Sequence, residues 1–402
     1  MKTHFLSFLL LIGLLQLGYA QSDVQKKIQT ELILAEKGAV IEVPSGNFHF
    51  DGTLSIDEKE GLILKGAGKD KTFLSFADQS NGAEGIRITN SQNITIEGLT
   101  IQDASGDAIK AMEVQGMTFR DVRTEWTGRP KASNGAYGLY PVTCENVLIE
   151  QCEAIGASDA GIYVGQSHNI IVRDSRAYHN VAGIEIENST QAEVYNCEAY
   201  DNTGGILVFD LPDLPKKRGG NVRVYQNKVH HNNYKNFAPK GNIVGKVPPG
   251  TGIMILATKE VEVFENEIKD NRTVGLTFVS YYITEEKIKD EAYHPYPYSL
   301  YIHDNLFVKT KKRRPTWRNK LGFLLWMKFG RKVPDIIYDG ITPDEALDAD
   351  GNFKDAYRIC IQNNGGATFA NIDAEGGFKN IRRDISRYDC SRDALQKVIL
   401  GK

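Results

Sequence analysis

Several features are scarce in this chain of 402 residues, and each scarcity excludes something. Lysine plus arginine (48) nearly balance aspartate plus glutamate (51), a net charge of -3. A general affinity for nucleic acid is therefore not expected. There are only five cysteines, with no CxxC pair and no zinc-type spacing, so neither a thiol redox motif nor a structural zinc site is indicated. Proline is sparse at 13 against 38 glycines. That ratio points to many tight turns rather than a disordered chain. Long apolar runs are missing beyond the N-terminus, so no transmembrane span is expected in the mature chain. Leu321 to Phe329 is apolar but contains Lys328, and it reads as a buried helix.

The N-terminus has the pattern of an export sequence. Lys2 precedes an apolar run from Phe5 to Leu17, broken by Ser7, Gly13 and Gln16. Gly18-Tyr19-Ala20 then offers a small residue for cleavage before Gln21. The expected organisation is a signal peptide over 1–20, a repeat domain over 21–308, and a C-terminal excursion with a final coil and cap over 309–402. The destination is the periplasm or the extracellular space, and no cysteine follows the apolar run to carry a lipid.

What is present is a repeat. Gly138, Gly161, Gly183 and Gly205 open the segments GLYPV, GIYVG, GIEIE and GILVF at steps of 23, 22 and 22 residues, and Gly252 and Gly275 continue the series. Each segment carries a second short run with alternating polarity, such as NIIVRD at Asn169–Asp174 or AEVYN at Ala192–Asn196. Strands this short cannot bury an apolar face alone, but stacked coils can share one core. Counting from each opening glycine aligns Val147, Ile170, Ala192 and Val261 in one column, and Asn180, Asn202 and Asn271 in another, with Asn232 matching by its strand. The predicted fold is all-β: a single-stranded right-handed parallel β-helix, or solenoid. An amphipathic helix over Val24–Glu36 caps one end, and a lid over Lys309–Ala356 covers the other. The basic run from Lys309 to Arg314 reads as a solvated face of that lid. Cys152 and Cys197 fall two coils apart, too far for a bond, whereas Cys360 and Cys390 flank the C-terminal segment and form the expected disulfide.

The pattern NIxIxxNxxxxNxxxGI resembles the repeat of the pectate-lyase-like right-handed parallel β-helix superfamily. GGILVFDLPDLPKKRGGNVRVYQN, NFAPKGNIVGKVPPGTGIMI and RICIQNNGGATFANID are also similar to a bacterial family of secreted β-helix proteins. Genes of that family often accompany a diheme c-type cytochrome. The resemblance implies a glycan ligand, a cytochrome as a partner, and calcium as the metal for lyase chemistry. The chain departs from these relatives in lacking the DPHD motif of mannuronan epimerases and the calcium triad of pectate lyases.

Insertions mark candidate sites on a regular solenoid. Those at Asp210–Gly220 and Tyr281–Tyr298 occupy the same turn two coils apart, and are expected to wall a groove. Lys216, Lys217 and Arg218 would face Tyr281, Tyr282, Tyr296 and Tyr298 across it, cations and aromatic platforms suited to an acidic polysaccharide. Asp210 and Asp213 could also serve a hydrolase as paired carboxylates. Outward residues of the first strand, Tyr140, Tyr163, Glu185 and Glu187, make a face that is partly aromatic and partly acidic. Tyr140 and Tyr163 are candidate sugar platforms, alongside Lys216, Asp210, Tyr281 and Tyr296 as further substrate contacts. A column of His179, Asp201, His231 and Asp270 is a candidate metal site, though such residues are also ordinary in turns.

The leading functional expectation is a polysaccharide lyase or uronate epimerase acting by C5 proton abstraction. Lys217, Arg218, His230, His231 and Tyr282 are the candidate catalytic groups. The alternative is a non-catalytic scaffold that binds a glycan or a protein. Copper handling has least support, with five methionines and scattered histidines.

Overall fold

The computed structural model describes residues 24–310 and 314–401. The export sequence therefore lies outside the described residues, as do Lys311, Lys312 and Arg313 of the basic run. Among the described residues, parallel strands stack into three ladders around one core. The first ladder has eleven strands, from Gly52–Asp57 to Phe369–Asn371. The second and third are fused into a 19-stranded sheet. The fusion arises because Gln92–Gln102 and Gln115–Glu125 each run through both ladders without a break.

Register explains the core. On the first ladder Leu54, Ile86, Ile109, Leu139 and Ile162 stack in successive coils, and the column continues through Ile184, Ile206 and Ile253. All eight are fully buried. A slip of one residue would turn every one of them outward. The bends between the second and third ladders repeat too: Asp121, Gln151, Asp174, Asn196 and Gln226 all hold φ between 50° and 57°. Polar residues tolerate this left-handed backbone better than branched ones. Gly98 takes the same position in an earlier coil at φ 66°, where its carbonyl lies so near Gly66 that a Cβ there would fall 2.1 Å from the oxygen.

The asparagine column is a hydrogen-bonded chain. The Asn202 backbone N–H and side-chain amide both donate to Asn232 Oδ1, at 3.2 and 3.0 Å. Asn232 in turn donates to Asn271 Oδ1 at 3.1 Å and to the Ala199 carbonyl at 3.0 Å. A second chain runs through Asn227, Asn266, Asn305 and Asn364. Cys152 and Cys197 head that column as buried free thiols, and burial pushes both up to about 12.

Both ends are covered. A helix over 24–34 places Ile28 and Leu32 against the first coils. The C-terminal excursion is less independent than its sequence suggests. Helix Lys320–Phe329 packs Leu325 and Phe329 on Val274 and Ile337. Within the turn-rich stretch, Ile336–Tyr338 rejoins the first ladder beside Leu276–Phe278. Only three residues form that strand, too few to show a period of two. Cys360 and Cys390 are disulfide-bonded. The tail then folds back along the solenoid, where the Gly401 N–H donates to Asn146 Oδ1 at 2.9 Å.

Replacing Asn232 by alanine removes partners from several buried polar groups at once. The cost should be about 3 kcal/mol or more. Asn81→Ala, at the exposed start of strand Asn81–Thr89, should change stability by less than about 0.5 kcal/mol. Urea unfolding of both variants checks this.

Candidate functional site

Three insertions fold over the outer face of the first ladder. Tyr234, Phe237, Val244 and Val247 from one, and Tyr281 and Tyr293 from another, form an apolar layer outside the solenoid with Leu207, Phe209, Met254 and Leu256. The loops at Asp210 and Tyr281 do not stand apart as walls of a groove. Lys217 pairs with Asp290, and the Tyr293 hydroxyl donates to the Asp210 carbonyl. Apolar side chains on the two insertions, Leu211 on one and Tyr281 and Tyr293 on the other, bury more surface together than apart.

Beneath this cover lies a cluster of tyrosines and carboxyls. Register places Lys110, Tyr140, Tyr163 and Glu185 on consecutive coils of the outer face, with exposed Arg87 one coil before Lys110. The Tyr137 ring lies 4.4 Å from Tyr140 and 4.5 Å from Tyr163. The Tyr163 hydroxyl donates to Glu187 Oε1 at 2.6 Å. The Asn242 side-chain amide, from the covering loop, donates to Asp159 Oδ2 at 2.6 Å. Glu185 is 1% exposed, and its Oε2 has no hydrogen-bond partner. Lys110 Nζ sits 5.0 Å from the centre of the Tyr140 ring.

Burial dominates the electrostatics. It raises Asp107 to about 6, and Asp159 and Glu187 to about 7. Neighbouring acids add to the rise at Asp159 and Glu187, while the hydrogen bonds from Asn242 and Tyr163 oppose it. Glu185 is held well above the usual carboxyl range by burial and by Glu187. Tyr140 is raised to about 12, again by burial first. Carboxyls that exchange protons near neutrality, touching tyrosine hydroxyls, can act as general acids and bases. Lys110, Tyr140, Tyr137 and Asp107 are half-buried and form the open side of the cluster.

The residues named from the sequence are distributed as follows. Tyr140 and Tyr163 belong to this cluster. Lys216 is half-buried and anchors its loop, donating to the Ser167 carbonyl and to Thr190 Oγ1; burial lowers its pKa. Asp210 is buried and raised to about 7, accepting from the Gly219 N–H at 3.2 Å. Asp213 is exposed, so these two do not form a matched carboxyl pair. Tyr281 is buried against Tyr293. Tyr282 is 46% exposed and lies beside Tyr296, ring centres 5.6 Å apart. Arg218 is exposed at φ 57°.

His230 and His231 stand elsewhere. They precede a first-ladder strand, whereas Lys217, Arg218 and Tyr282 follow one, a separation of about 17 Å along a six-residue strand. The five candidate catalytic residues thus do not share one site. His179, Asp201, His231 and Asp270 are the left-handed residues after the third ladder, with φ of 60°, 52°, 53° and 52°. His231 Nε2 lies 3.6 Å from Asp270 Oδ2, but that carboxylate already accepts from the Thr310 N–H and hydroxyl. Calcium takes six to eight oxygen ligands, which this column does not supply. Among the described residues no group of three or more His, Cys, Asp or Glu side chains is placed to hold a metal ion.

Asp107, Asp159, Lys110 and Tyr137 were not singled out from the sequence. A legible trace existed, since Asp107 and Asp159 each precede a first-ladder strand by one or two residues. Asp159 is reached by Asn242 of the 233–251 loop, a contact that no repeat offset reveals.

Comparison with known proteins agrees with this architecture. The family profile described as "Right handed beta helix region" matches residues 130–284. A preneck appendage protein of Bacillus phage PZA is 24% identical over 286 residues, covering 61% of this chain and 33% of the relative. The chain thus spans about a third of the length of the curated relatives it matches. Among solved structures, the A-module of the mannuronan C-5 epimerase AlgE6 of Azotobacter vinelandii superposes with a TM-score of 0.55 at 13% identity, covering 85% of this chain and 90% of that one. Gene product 12 of bacteriophage phi29 gives 0.50 at 17% identity, covering 73% and 40%. At such identities the likeness is one of fold. The chain is a right-handed parallel β-helix protein.

The raised carboxyls make stability depend on pH. A carboxyl whose folded pKa exceeds its unfolded value contributes stability that is complete below the unfolded value, and that is lost as pH rises through the folded one. For Glu187 the window runs from its usual 4.5 to about 7. Thermal unfolding should therefore show the protein less stable at pH 8 than at pH 5. Glu187→Gln should remove part of that fall, on the order of 1–3 kcal/mol. An unchanged slope would mean that the cluster ionises as it does in water.

Proposed function

We propose that the chain acts on an acidic polysaccharide, a uronate polymer, at the tyrosine–carboxyl cluster on the outer face of the first ladder. The observation that carries this reading is the register row Arg87, Lys110, Tyr140, Tyr163 and Glu185. It leads from two cations, through aromatic rings, to a buried acid, Glu185, held well above the usual carboxyl range beside Glu187. Successive members lie about 4.8 Å apart along the solenoid, so an extended glycan laid along the axis meets them in turn.

The chemistry that suits the row is abstraction of the C5 proton of a uronate. Loss of that proton moves negative charge onto the substrate carboxylate, where Lys110 stabilises it. Glu187, ionised above about 7, takes up a proton through the hydroxyl of Tyr163, which donates to it. Tyr140 stands on the open side as the acid. Protonating the opposite face of C5 completes an epimerisation. Protonating the leaving glycosidic oxygen completes a β-elimination. The structural neighbour named a mannuronan C-5 epimerase supports a substrate of this class through shared fold, and export to a periplasmic or extracellular setting would bring the protein to such polymers.

A second reading has its own observation. Tyr163 is 4% and Glu185 1% exposed beneath the loops, a closure that suits a non-catalytic scaffold binding a glycan or the cytochrome partner implied by the sequence resemblance. Activity separates the two. Purified protein incubated with polymannuronate and polygalacturonate should raise absorbance at 235 nm, as a lyase does, or change the proton NMR spectrum without that rise, as an epimerase does. Tyr163→Phe should lower kcat by about 100-fold or more, and wild-type activity should fall as pH drops below about 7. Silence on every uronate polymer, with binding retained, would favour the scaffold.

A further inference from the structure

The helix Lys320–Phe329, of sequence KLGFLLWMKF, carries apolar residues on every side, yet only one side is covered. Gly322, Leu325 and Phe329 are buried, the last two against Val274 and Ile337. Phe323 and Met327 lie four residues apart, so one sits above the other on the helix. They are 41% and 60% exposed. Trp317, just before the helix, is 66% exposed. Three large apolar side chains thus stand in water within eleven residues. A helix apolar all round is ordinarily enclosed by protein or by lipid, and an exposed apolar patch marks an interaction surface.

The charge around these residues has one sign. Arg314, Arg318, Lys320, Lys328, Arg331 and Lys332 are all exposed. No aspartate or glutamate occurs between positions 314 and 332, in a chain whose net charge is -3. Among the described residues only Lys320 of the six meets a carboxylate, that of Glu285. Arg383, over the Phe329 ring at 5.1 Å, adds a further cation. A cavity of about 300 Å³ lies at the start of the helix. Phe209, Met254 and Leu256 give it apolar walls, while Lys246, Arg318 and Lys320 give it cations. Lys246 and Lys320 are paired with Glu286 and Glu285, which leaves Arg318 to receive an anion. Such a lining suits a molecule with an apolar tail and an anionic head.

We propose that segment 314–332 docks on an anionic phospholipid surface. Its cations meet the headgroup phosphates, and Trp317, Phe323 and Met327 enter the boundary between headgroups and acyl chains. Charge complementarity selects an anionic partner, and the exposed apolar side chains select lipid. A polyanion without apolar tails would leave Phe323 and Met327 in water. The contact is peripheral. A ten-residue helix is about 15 Å long, half the hydrocarbon thickness of a bilayer. Among the described residues no helix is long and apolar enough to cross a membrane. The surface is also separate from the proposed glycan row. Ile337, against which the helix packs, lies four register steps beyond Glu185, about 19 Å along the axis.

The full mature chain would be sedimented with vesicles of phosphatidylcholine alone, and with vesicles of equal parts phosphatidylcholine and phosphatidylglycerol. Binding to the anionic vesicles alone is expected, weakening as salt is added. Of the three tryptophans Trp126 is buried and Trp326 half-buried. A blue shift of fluorescence on binding therefore reports chiefly Trp317, and Trp317→Phe should remove most of it. Phe323→Ser with Met327→Ser should weaken binding by about 10-fold or more. Arg331→Gln with Lys332→Gln should weaken it by about 10- to 30-fold. Lys26→Gln with Lys27→Gln, exposed on the helix that caps the opposite end, should leave it unchanged. Circular dichroism melts check that the variants fold, and the wild-type measurements stand without them. No binding to anionic vesicles, equal binding to both kinds, or binding untouched by the changes at 323, 327, 331 and 332 would overturn the proposal. A blue shift with a soluble oligouronate but not with vesicles would overturn it too, and would assign the surface to an acidic polysaccharide.

Discussion

Everything in this molecule depends on coils stacking in register. One coil contributes a few residues to each of three ladders, and no coil has a core of its own. Whatever side chain occupies a position in one coil therefore lies about 4.8 Å from its equivalent in the next. Inside, this produces unbroken aliphatic columns and hydrogen-bonded asparagine chains. Outside, it lines up aromatic rings: Tyr195, Tyr225, Phe264 and His303 stack at 4.9, 4.8 and 5.1 Å. Rings stacked so closely cover one another's faces and leave little for a sugar, so these columns are structural.

The first ladder is the exception. Its outer face carries unlike residues in adjacent coils, Lys110, then Tyr140, Tyr163 and Glu185. Three insertions extend over it and exclude water from acids that solvent would otherwise keep ionised. The same register that makes the core repetitive makes this row a linear array, and a linear array fits a linear polymer.

Much of the fold was legible because the repeat encodes it. The inward columns and the chain from Asn180 to Asn271 could be counted directly from the opening glycines. The strand Ile336–Tyr338 could not, since it follows a helical excursion and has no glycine ahead of it at the repeat spacing. The site was legible in part. Tyr140, Tyr163, Glu185 and Glu187 were recognisable as outward residues, but Lys217 and His231 drew attention through residue type and loop setting. What decided the matter was which loops fold onto which face. Asn242 lies 83 residues from Asp159 and donates to it, a contact that local pattern does not carry.

The central claim is that an acidic glycan engages the outer face of the first ladder, entering past Arg87 and Lys110. Hydrogen–deuterium exchange with and without an acidic oligouronate tests it most directly. The account predicts added protection in the strands around Arg87, Lys110, Tyr140 and Tyr163, with altered exchange in the 233–251 loop. Protection confined to the loops at Asp210 and Tyr281, with those strands unchanged, would contradict it.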